Sequence, residues 1–219
     1  MITLNTLRKF LPVISLIGFC LLPVRADAHP HEFVTMKISL LFDGQKNITG
    51  MRYNWRFDRL FSAYAFEGQD KNKNGKAEPE ELLALQKEIL DNIAAIQFFT
   101  RFDKKAAQPE FATAKPLGAE MIKREFSMTF EVPFKTPLNV SAKPLRYAIF
   151  DDEYYISMLH DDKVKSVQLV GAPENCKWNL KAPDPDQDMA AFAQSLDKSQ
   201  SSGGGLGEYF AEWVTISCK

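Results

Sequence analysis

The most regular feature of the chain is an alternation of apolar and polar positions. Apolar side chains occupy every second position in three segments, at 34–42, 51–57 and 126–134. A period of two residues predicts β-strands with one buried face and one polar face. Because Asp43-Gly44 is a turn signal, the first two segments are predicted to form an antiparallel hairpin.

Shorter apolar runs follow later in the chain. Runs at 147–150, 154–158, 167–170 and 213–218 predict further strands, which we expect to be antiparallel. The intervening residues 183–205 are rich in proline, aspartate, serine and glycine, and they predict a flexible segment that contains a short helix.

The period changes to that of a helix after the second strand. Asp58 is suited to cap a short helix, and Pro79 is suited to begin a longer one. Their apolar faces are formed by Leu60, Phe61, Tyr64 and Ala65 in the first helix and by Leu82, Leu85, Ile89, Ile93 and Ile96 in the second. We therefore expect an α+β domain, mainly antiparallel sheet, with a helix-loop-helix insert at 58–97.

The first 28 residues are typical of a cleavable signal peptide. Arg8 and Lys9 precede an apolar run at 10–24, and the small-residue triplet at 26–28 ends it. The run is too short for a membrane span, which needs about 20 apolar residues. We expect the mature chain to begin at His29 in an oxidising compartment, the bacterial periplasm.

A lipoprotein signal is the alternative interpretation of this segment. It would use Cys20 as the lipidated residue, but Phe19 stands where such a signal needs a small side chain. Cleavage at residue 28 leaves 191 residues, which suit a single domain at 29–219.

Charge and hydropathy exclude two classes of partner. The whole chain has a formal net charge of −1, and loss of the signal peptide changes it to −3. Without clustered Lys and Arg, binding to nucleic acid or to anionic lipid is not expected. Since no second run of about 20 apolar residues occurs, we expect no membrane insertion after cleavage.

Two cysteines remain in the mature chain, Cys176 and Cys218. In an oxidising compartment an even pair favours a disulfide. The alternative is a pair of metal thiolates, which the absence of a CxxC spacing makes a weak zinc signature.

Residues 70–81 match the calcium-binding loop of an EF-hand at every defined position. Calcium binds six to eight oxygens, and the expected ligands are Asp70, Asn72, Asn74, Glu78, Glu81 and the carbonyl of Lys76. The alternative is a polar Asn-Gly turn between two helices. With three carboxylates and no second loop, we expect weak affinity, on the order of 10⁻⁴ to 10⁻³ M, and a structural ion.

Cleavage would create a second metal-binding pattern, because the mature chain would start His29-Pro30-His31-Glu32. A terminal histidine chelates through its α-amine and imidazole, and both bind zinc, nickel or copper once deprotonated. The square-planar amino-terminal mode needs an amide proton on the second residue, which Pro30 lacks. We expect an imidazole-rich zinc site that Glu32 or His160 completes. The alternative is a frayed terminus with solvated histidines.

Catalysis is not expected. The chain has no GxSxG, HExxH, phosphate-binding loop or CxxC pattern. The acidic residues Asp151-Asp152-Glu153 are more typical of a turn between strands, and the neighbouring Tyr154-Tyr155 of packing in a sheet.

Several strings together resemble one family. They are the terminal His29-Pro30-His31-Glu32-Phe33, Trp55-Arg56-Phe57-Asp58 with Phe61-Ser62, the loop at 70–81, and Phe150-Asp151 before Tyr154-Tyr155. In combination they resemble the DUF1007 family over nearly the whole mature chain. Two positions depart from the family pattern: Asn74 stands where the loop has aspartate, and Asp152 where proline precedes the tyrosines.

The resemblance implies a periplasmic component of metal transport. Its members look like partners of inner-membrane permeases of the nickel/cobalt type and are implicated in zinc utilisation. Together with the terminal histidines, this predicts an accessory protein that supplies zinc, or nickel or cobalt, to a permease. Two alternatives are a calcium-stabilised binding or assembly module and, with less support, a metal-dependent hydrolase.

Overall fold

The computed structural model describes residues 29–45, 47–103, 109–141, 144–197 and 199–218, so the predicted signal peptide lies outside the described residues. Within these ranges the chain forms ten strands and four α-helices. The strands are β1 (Glu32–Phe42), β2 (Asn47–Phe57), β3 (Thr100–Phe102), β4 (Lys115–Ile122), β5 (Glu125–Asn139), β6 (Leu145–Ile149), β7 (Ile156–His160), β8 (Val167–Val170), β9 (Cys176–Lys181) and β10 (Trp213–Cys218). The helices are α1 (Arg59–Glu67), α2 (Pro79–Ile93), α3 (Gln187–Ser195) and α4 (Leu206–Tyr209), and a 3-10 helix at Ala94–Phe99 follows α2.

The strands form two sheets, and most pairs are antiparallel. The larger sheet has the order β4-β5-β2-β1-β7, with β8 also paired to β1, and the smaller has the order β3-β6-β10-β9. The predicted hairpin is confirmed, since Val34 pairs with Phe57 and Met36 with Trp55. The α+β class and the mainly antiparallel character are therefore as the sequence predicts.

Two of the shorter strands differ from the expectation. β7 and β8 both run parallel to β1, so the expectation that they are antiparallel is wrong. β3, β4 and β9 were not predicted at all. In β4, Pro116 and Gly118 interrupt the alternation, which is tolerated because β4 lies at a sheet edge.

One hydrophobic core joins the two sheets. Tyr53, Trp55 and Phe130 are almost fully buried, and the Tyr53 and Phe130 rings stack with centroids 4.7 Å apart. Burial of a large side chain contributes about 1.5–3 kcal/mol. The Tyr53 hydroxyl lies 2.9 Å from the Thr100 hydroxyl of the smaller sheet, and burial raises the pKa of Tyr53 well above its usual value. Tyr53 is thus held as a neutral link between the sheets.

The junction of β2 and α1 is fixed by Asp58 and Ser62. One Asp58 carboxylate oxygen accepts the N–H groups of Leu60 and Phe61, and the other accepts that of Phe33. The Ser62 hydroxyl donates to the Asp58 carbonyl and accepts the N–H of Phe126. Asp58 therefore caps α1, as predicted, and also ties it to the start of β1.

The two helices contact the larger sheet through part of their predicted faces. Phe61 and Ala65 pack against the core, but Leu60 and Tyr64 are 75% and 79% exposed. In α2 the residues Leu82, Leu85, Ile89 and Ile93 lie inward as predicted. The predicted face of α1 was therefore too wide by two residues. Ile96, also predicted to lie inward, is 42% exposed in the 3-10 helix that follows α2.

Cys176 and Cys218 form a disulfide between the paired strands β9 and β10. The predicted bridge is confirmed, and it closes the end of the smaller sheet. Within the described residues, no helix is both long enough and apolar enough to cross a membrane.

Candidate metal site at the histidine segment

Residues 29–31, here called the histidine segment, lie against the turn that precedes β7. The His29 and His31 rings are 4.8 Å apart between centroids, and the His31 and Tyr155 rings are also 4.8 Å apart. His29 is only 6% exposed, and its Nδ1 is buried without a hydrogen-bond partner among the described residues. The segment is therefore docked on the domain.

Backbone hydrogen bonds hold this segment in place. The Tyr155 carbonyl accepts the N–H groups of His31 and Glu32 at 2.9 and 3.3 Å. Tyr155 is positioned in turn by Asp151, whose carboxylate accepts the N–H groups of Tyr155 and Ile156 at 2.8 and 3.1 Å. The acidic turn, expected to be merely solvated, thus organises the residue that contacts both histidines.

The turn is itself supported by the segment that precedes β10. Glu153 accepts hydrogen bonds from Ser201 and Ser202, and a Cβ on Gly207 would lie 1.8 Å from the Asp151 carbonyl oxygen. Only glycine fits there. Part of the predicted flexible segment is therefore tied to the turn, and the predicted short helix is present as α3.

Asp197 adds an acidic group near the histidine segment. Hydrogen bonds from Ser199 chiefly lower the pKa of Asp197, and the charge of His29 lowers it further. Because charges interact strongly only at short range, Asp197 is within electrostatic reach of His29. Nothing in the local sequence pointed to Asp197 or to Tyr155, since both reach the histidines only through the tertiary fold.

Glu32, predicted as a ligand, lies in a different environment. It shares a cavity wall with Val34, and burial, followed by the charges of Asp58 and Asp151, raises its pKa. A carboxyl group in such surroundings keeps its proton to a higher pH than an exposed glutamate does. The structure does not bring Glu32 into one ligand set with the two histidines.

His160, the other predicted ligand, lies further along the sheet. Ile156 pairs with Glu32 whereas His160 pairs with Met36, a displacement of four residues or roughly 13 Å along the strand. His160 Nδ1 is 2.8 Å from a Glu212 carboxylate oxygen, which also accepts the His160 N–H at 2.6 Å. His160 is therefore separate from the histidine segment and is held by Glu212, which the sequence did not indicate.

Among the described residues, no three or more His, Cys, Asp or Glu side chains converge in an arrangement that could hold a metal ion. The structure thus brings the side chains of His29 and His31 together. It does not bring Glu32 and His160 to them to complete the predicted set of four ligands. The α-amine that cleavage would create at His29 lies outside this count, because it is not a side chain.

The predicted calcium loop at 70–81, here called the acidic loop, joins α1 to α2. Asp70 accepts the N–H groups of Asn74 and Gly75, and Glu81 accepts those of Lys71 and Glu78. Gly75 has a φ of 70°, as the sharp turn requires. Helices α1 and α2 lie on either side of the loop, and many of the loop's side-chain oxygens accept hydrogen bonds from its own backbone.

Two carboxylates in this loop interact with each other. A hydrogen bond from the Asn74 side chain chiefly lowers the pKa of Glu78, whereas a hydrogen bond with Glu78 chiefly raises the pKa of Glu81. Carboxylates this close repel when both are ionised, and a cation would relieve that repulsion. The calcium prediction for this loop stays a prediction.

Comparison with known proteins agrees with the resemblance found in the sequence. The profile of the family described as "Protein of unknown function (DUF1007)" matches residues 14–218, so the chain belongs to this family. An uncharacterized protein of Haemophilus influenzae is 26% identical over 195 residues, covering 88% of this chain and 92% of that protein. Membership of the family is thus shown over residues 14–218.

Proposed function

We propose that the protein is an exported accessory protein that binds zinc, or nickel or cobalt, and supplies it to an inner-membrane permease. The observation that carries the proposal is the pair of imidazoles at His29 and His31, docked against Tyr155 with a buried, unpaired Nδ1 on His29. Its role is binding and transfer of a metal ion, not catalysis.

The spacing of the two rings suits one metal ion. Two imidazoles on a tetrahedral zinc, with Zn–N distances of about 2.0–2.1 Å, would place their ring centroids about 5 Å apart. The observed separation of 4.8 Å is close to this value. The distance between the two rings is therefore compatible with a shared zinc ion.

Two histidines make an incomplete zinc site, because such sites use three or four protein ligands. The α-amine of His29 would supply a third ligand after signal cleavage, and Asp197, whose pKa the charge of His29 lowers, is a candidate for a fourth. An incomplete set leaves a coordination position open, through which a permease can take the metal. We propose this open set as the basis of metal release.

Export to the periplasm is part of the proposal. It is supported by the signal-like residues 1–28 and by the disulfide between Cys176 and Cys218, since disulfides persist in oxidising compartments.

Calorimetric titration of zinc into metal-free mature protein tests the proposal, once intact mass has established His29 as the first residue. We expect His29→Ala with His31→Ala to weaken zinc binding by at least about a hundredfold. Loss of a residue that only orients a metal ligand already weakens binding by up to about that much. His160→Gln is the matched control and should bind zinc like the wild type. Equal binding by all three proteins would contradict the proposal.

Growth under zinc limitation tests the transport step. A strain without the protein should grow poorly when zinc is chelated, and the wild-type gene should restore growth, whereas the doubly substituted gene should not. Restoration by the substituted gene would contradict a role of the histidine pair in supply.

The second candidate function is a calcium-stabilised binding or assembly module. It is favoured by the helix-loop-helix geometry and by the adjacent carboxylates of Glu78 and Glu81. The ligands would be Asp70, Asn72, Asn74, Lys76, Glu78 and Glu81. A rise in melting temperature with calcium, together with unchanged growth of the His29 and His31 variant, would favour this function over metal supply.

A further inference from the structure

A cavity of about 730 Å³ lies between α1, α2 and the larger sheet. Its floor is formed by Val34, Trp55, Phe57 and Met158. Sites for small molecules occupy roughly 300–1,000 Å³ and are mainly apolar with a few polar groups. Neither His29 nor His31 contributes to its lining, so this cavity, here called the helix–sheet cavity, is distinct from the histidine segment.

Several aromatic side chains contribute to the lining of the helix–sheet cavity, among aliphatic ones. Phe57 and Phe61 stack with centroids 4.7 Å apart, and Trp55 meets Phe57 edge to face at 6.3 Å. Trp55 is 1% exposed, and its indole N–H has no hydrogen-bond partner within the described chain. Buried indole N–H groups usually have a partner, and this one is itself shut off from solvent, so a ligand in the cavity would meet the aromatic faces of the wall.

The charge of the cavity has one sign. Glu32, Glu67 and Glu88 contribute to the lining, and none of the lining residues, all of them described, is Lys, Arg or His. Gln69 donates to Glu88 at 2.6 Å, which ties the end of α1 to α2 beside the cavity. Carboxylates next to aromatic faces attract organic cations and repel anions, because both the charge and the ring quadrupole favour a positive ligand.

We propose that the helix–sheet cavity binds a small organic ammonium ion with an apolar body. The body packs on Trp55, Phe57 and Phe61, and the ammonium lies near Glu67 and Glu88. This binding is independent of the metal site and does not require the proposed transport role.

The test compares three probes of similar shape on the metal-free mature protein: 2-phenylethylammonium, 2-phenylethanol and 3-phenylpropanoate. Binding is followed by the NMR signal of the Trp55 indole N–H, assigned with Trp55→Phe. We expect the ammonium to shift this signal with saturation in the millimolar range or below, and the alcohol and the carboxylate to bind at least about tenfold more weakly.

Two variants test the location. Glu67→Gln with Glu88→Gln should weaken ammonium binding about fivefold, as expected for two partly exposed ion pairs. The matched control, Glu80→Gln with Glu120→Gln, removes the same charge outside the cavity and should bind like the wild type. Ala65→Phe should obstruct the cavity beside Phe61 and weaken ammonium binding. The melting temperature is measured to show that the protein still folds.

Ammonium binding and metal binding can be tested independently, because His29→Ala with His31→Ala should leave ammonium binding unchanged. Absence of any Trp55 shift up to about 10 mM ammonium would overturn the inference, since affinities weaker than this are negligible. Equal binding of all three probes would also overturn it, because the cavity would then be only an apolar space without charge selection.

Discussion

The histidine segment and the acidic loop differ in how well their sequence patterns predict whether the ligand atoms are free to bind a metal. The acidic loop matches its motif at every defined position, yet Asp70 and Glu81 already accept backbone N–H groups of the loop itself. The histidine segment has only two histidines around a proline, yet the fold buries it and leaves Nδ1 of His29 without a partner among the described residues. A sequence motif shows which side chains could bind a metal. Only the hydrogen bonds of the folded protein show whether the atoms of those side chains are already bonded to something else.

The largest expected effect comes from the contact between Gly207 and the acidic turn. Gly207→Ala places a methyl group against the Asp151 carbonyl, so backbone must move, and we expect a loss of about 3 kcal/mol in the free energy of unfolding. Zinc binding should weaken as well, because Asp151 positions Tyr155. Urea denaturation and zinc titration measure both.

Gly68→Ala is the matched control, because its added Cβ would meet nothing closer than 3.6 Å and its φ is ordinary. It should change stability by less than about 0.5 kcal/mol. A Gly207→Ala protein as stable as this control would show that the turn is not held as described.

The next effect concerns the ring that contacts both histidines. Tyr155→Ala removes the aromatic face against His29 and His31, and we expect roughly tenfold weaker zinc binding, since orienting neighbours of metal ligands contribute about 10–100-fold. Tyr209→Ala, which removes another half-exposed tyrosine, should have no effect on zinc. If the two variants bind zinc equally, contact with Tyr155 does not orient His29 and His31 for zinc binding.

The acidic loop gives the converse test. Glu81→Gln should weaken any calcium response about tenfold by removing the bidentate ligand, and Glu80→Gln on the same helix should not. Because the pKa of Glu81 is raised, acidification should protonate Glu81 earlier than an ordinary glutamate. Calcium binding should therefore begin to weaken at a higher pH than it would with an ordinary glutamate at this position. A calcium response that Glu81→Gln leaves intact would exclude this loop.

The smallest effect concerns Glu32. Its raised pKa means that ionised Glu32 lowers the free energy of unfolding of the protein. This loss disappears as the pH falls from the pKa of Glu32 in the folded protein to its pKa in the unfolded chain. Since Glu32 is only half buried, Glu32→Gln should stabilise the protein by less than about 1 kcal/mol at pH 7 and by almost nothing near pH 4. Thermal melts at both pH values, with Glu120→Gln as a control, measure it. A destabilised Glu32→Gln protein would show a favourable ionic role instead.

The elements with a strong local pattern were predictable from the sequence. The β1–β2 hairpin, the Asp58 cap, the start of α2 at Pro79 and the bounds of β10 follow from alternation, capping and proline position. β3 and β9 are short or exposed edge strands without such a pattern. The parallel pairing of β7 and β8 with β1 depends on the path of the chain, which periodicity does not encode.

The candidate site was predictable only where its members are neighbours in sequence. His29 and His31 are two residues apart, so their pairing could be anticipated, whereas Tyr155 and Asp197 reach them through the fold. Glu32 was chosen as the neighbour of the pair and His160 as the other histidine. Glu32 lines the helix–sheet cavity instead, and the strand register displaces His160 along β7. The conspicuous string from Trp55 to Ser62 has an architectural explanation, since Asp58 and Ser62 join β1, α1 and β5.

Whether His29 and His31 bind one zinc ion together can be measured by X-ray absorption at the zinc edge, on mature protein loaded with one equivalent of zinc. We expect two imidazole ligands at about 2.0 Å, both lost when His29 and His31 are replaced by alanine. A shell of oxygen ligands alone, or a spectrum that the double substitution leaves unchanged, would contradict this expectation.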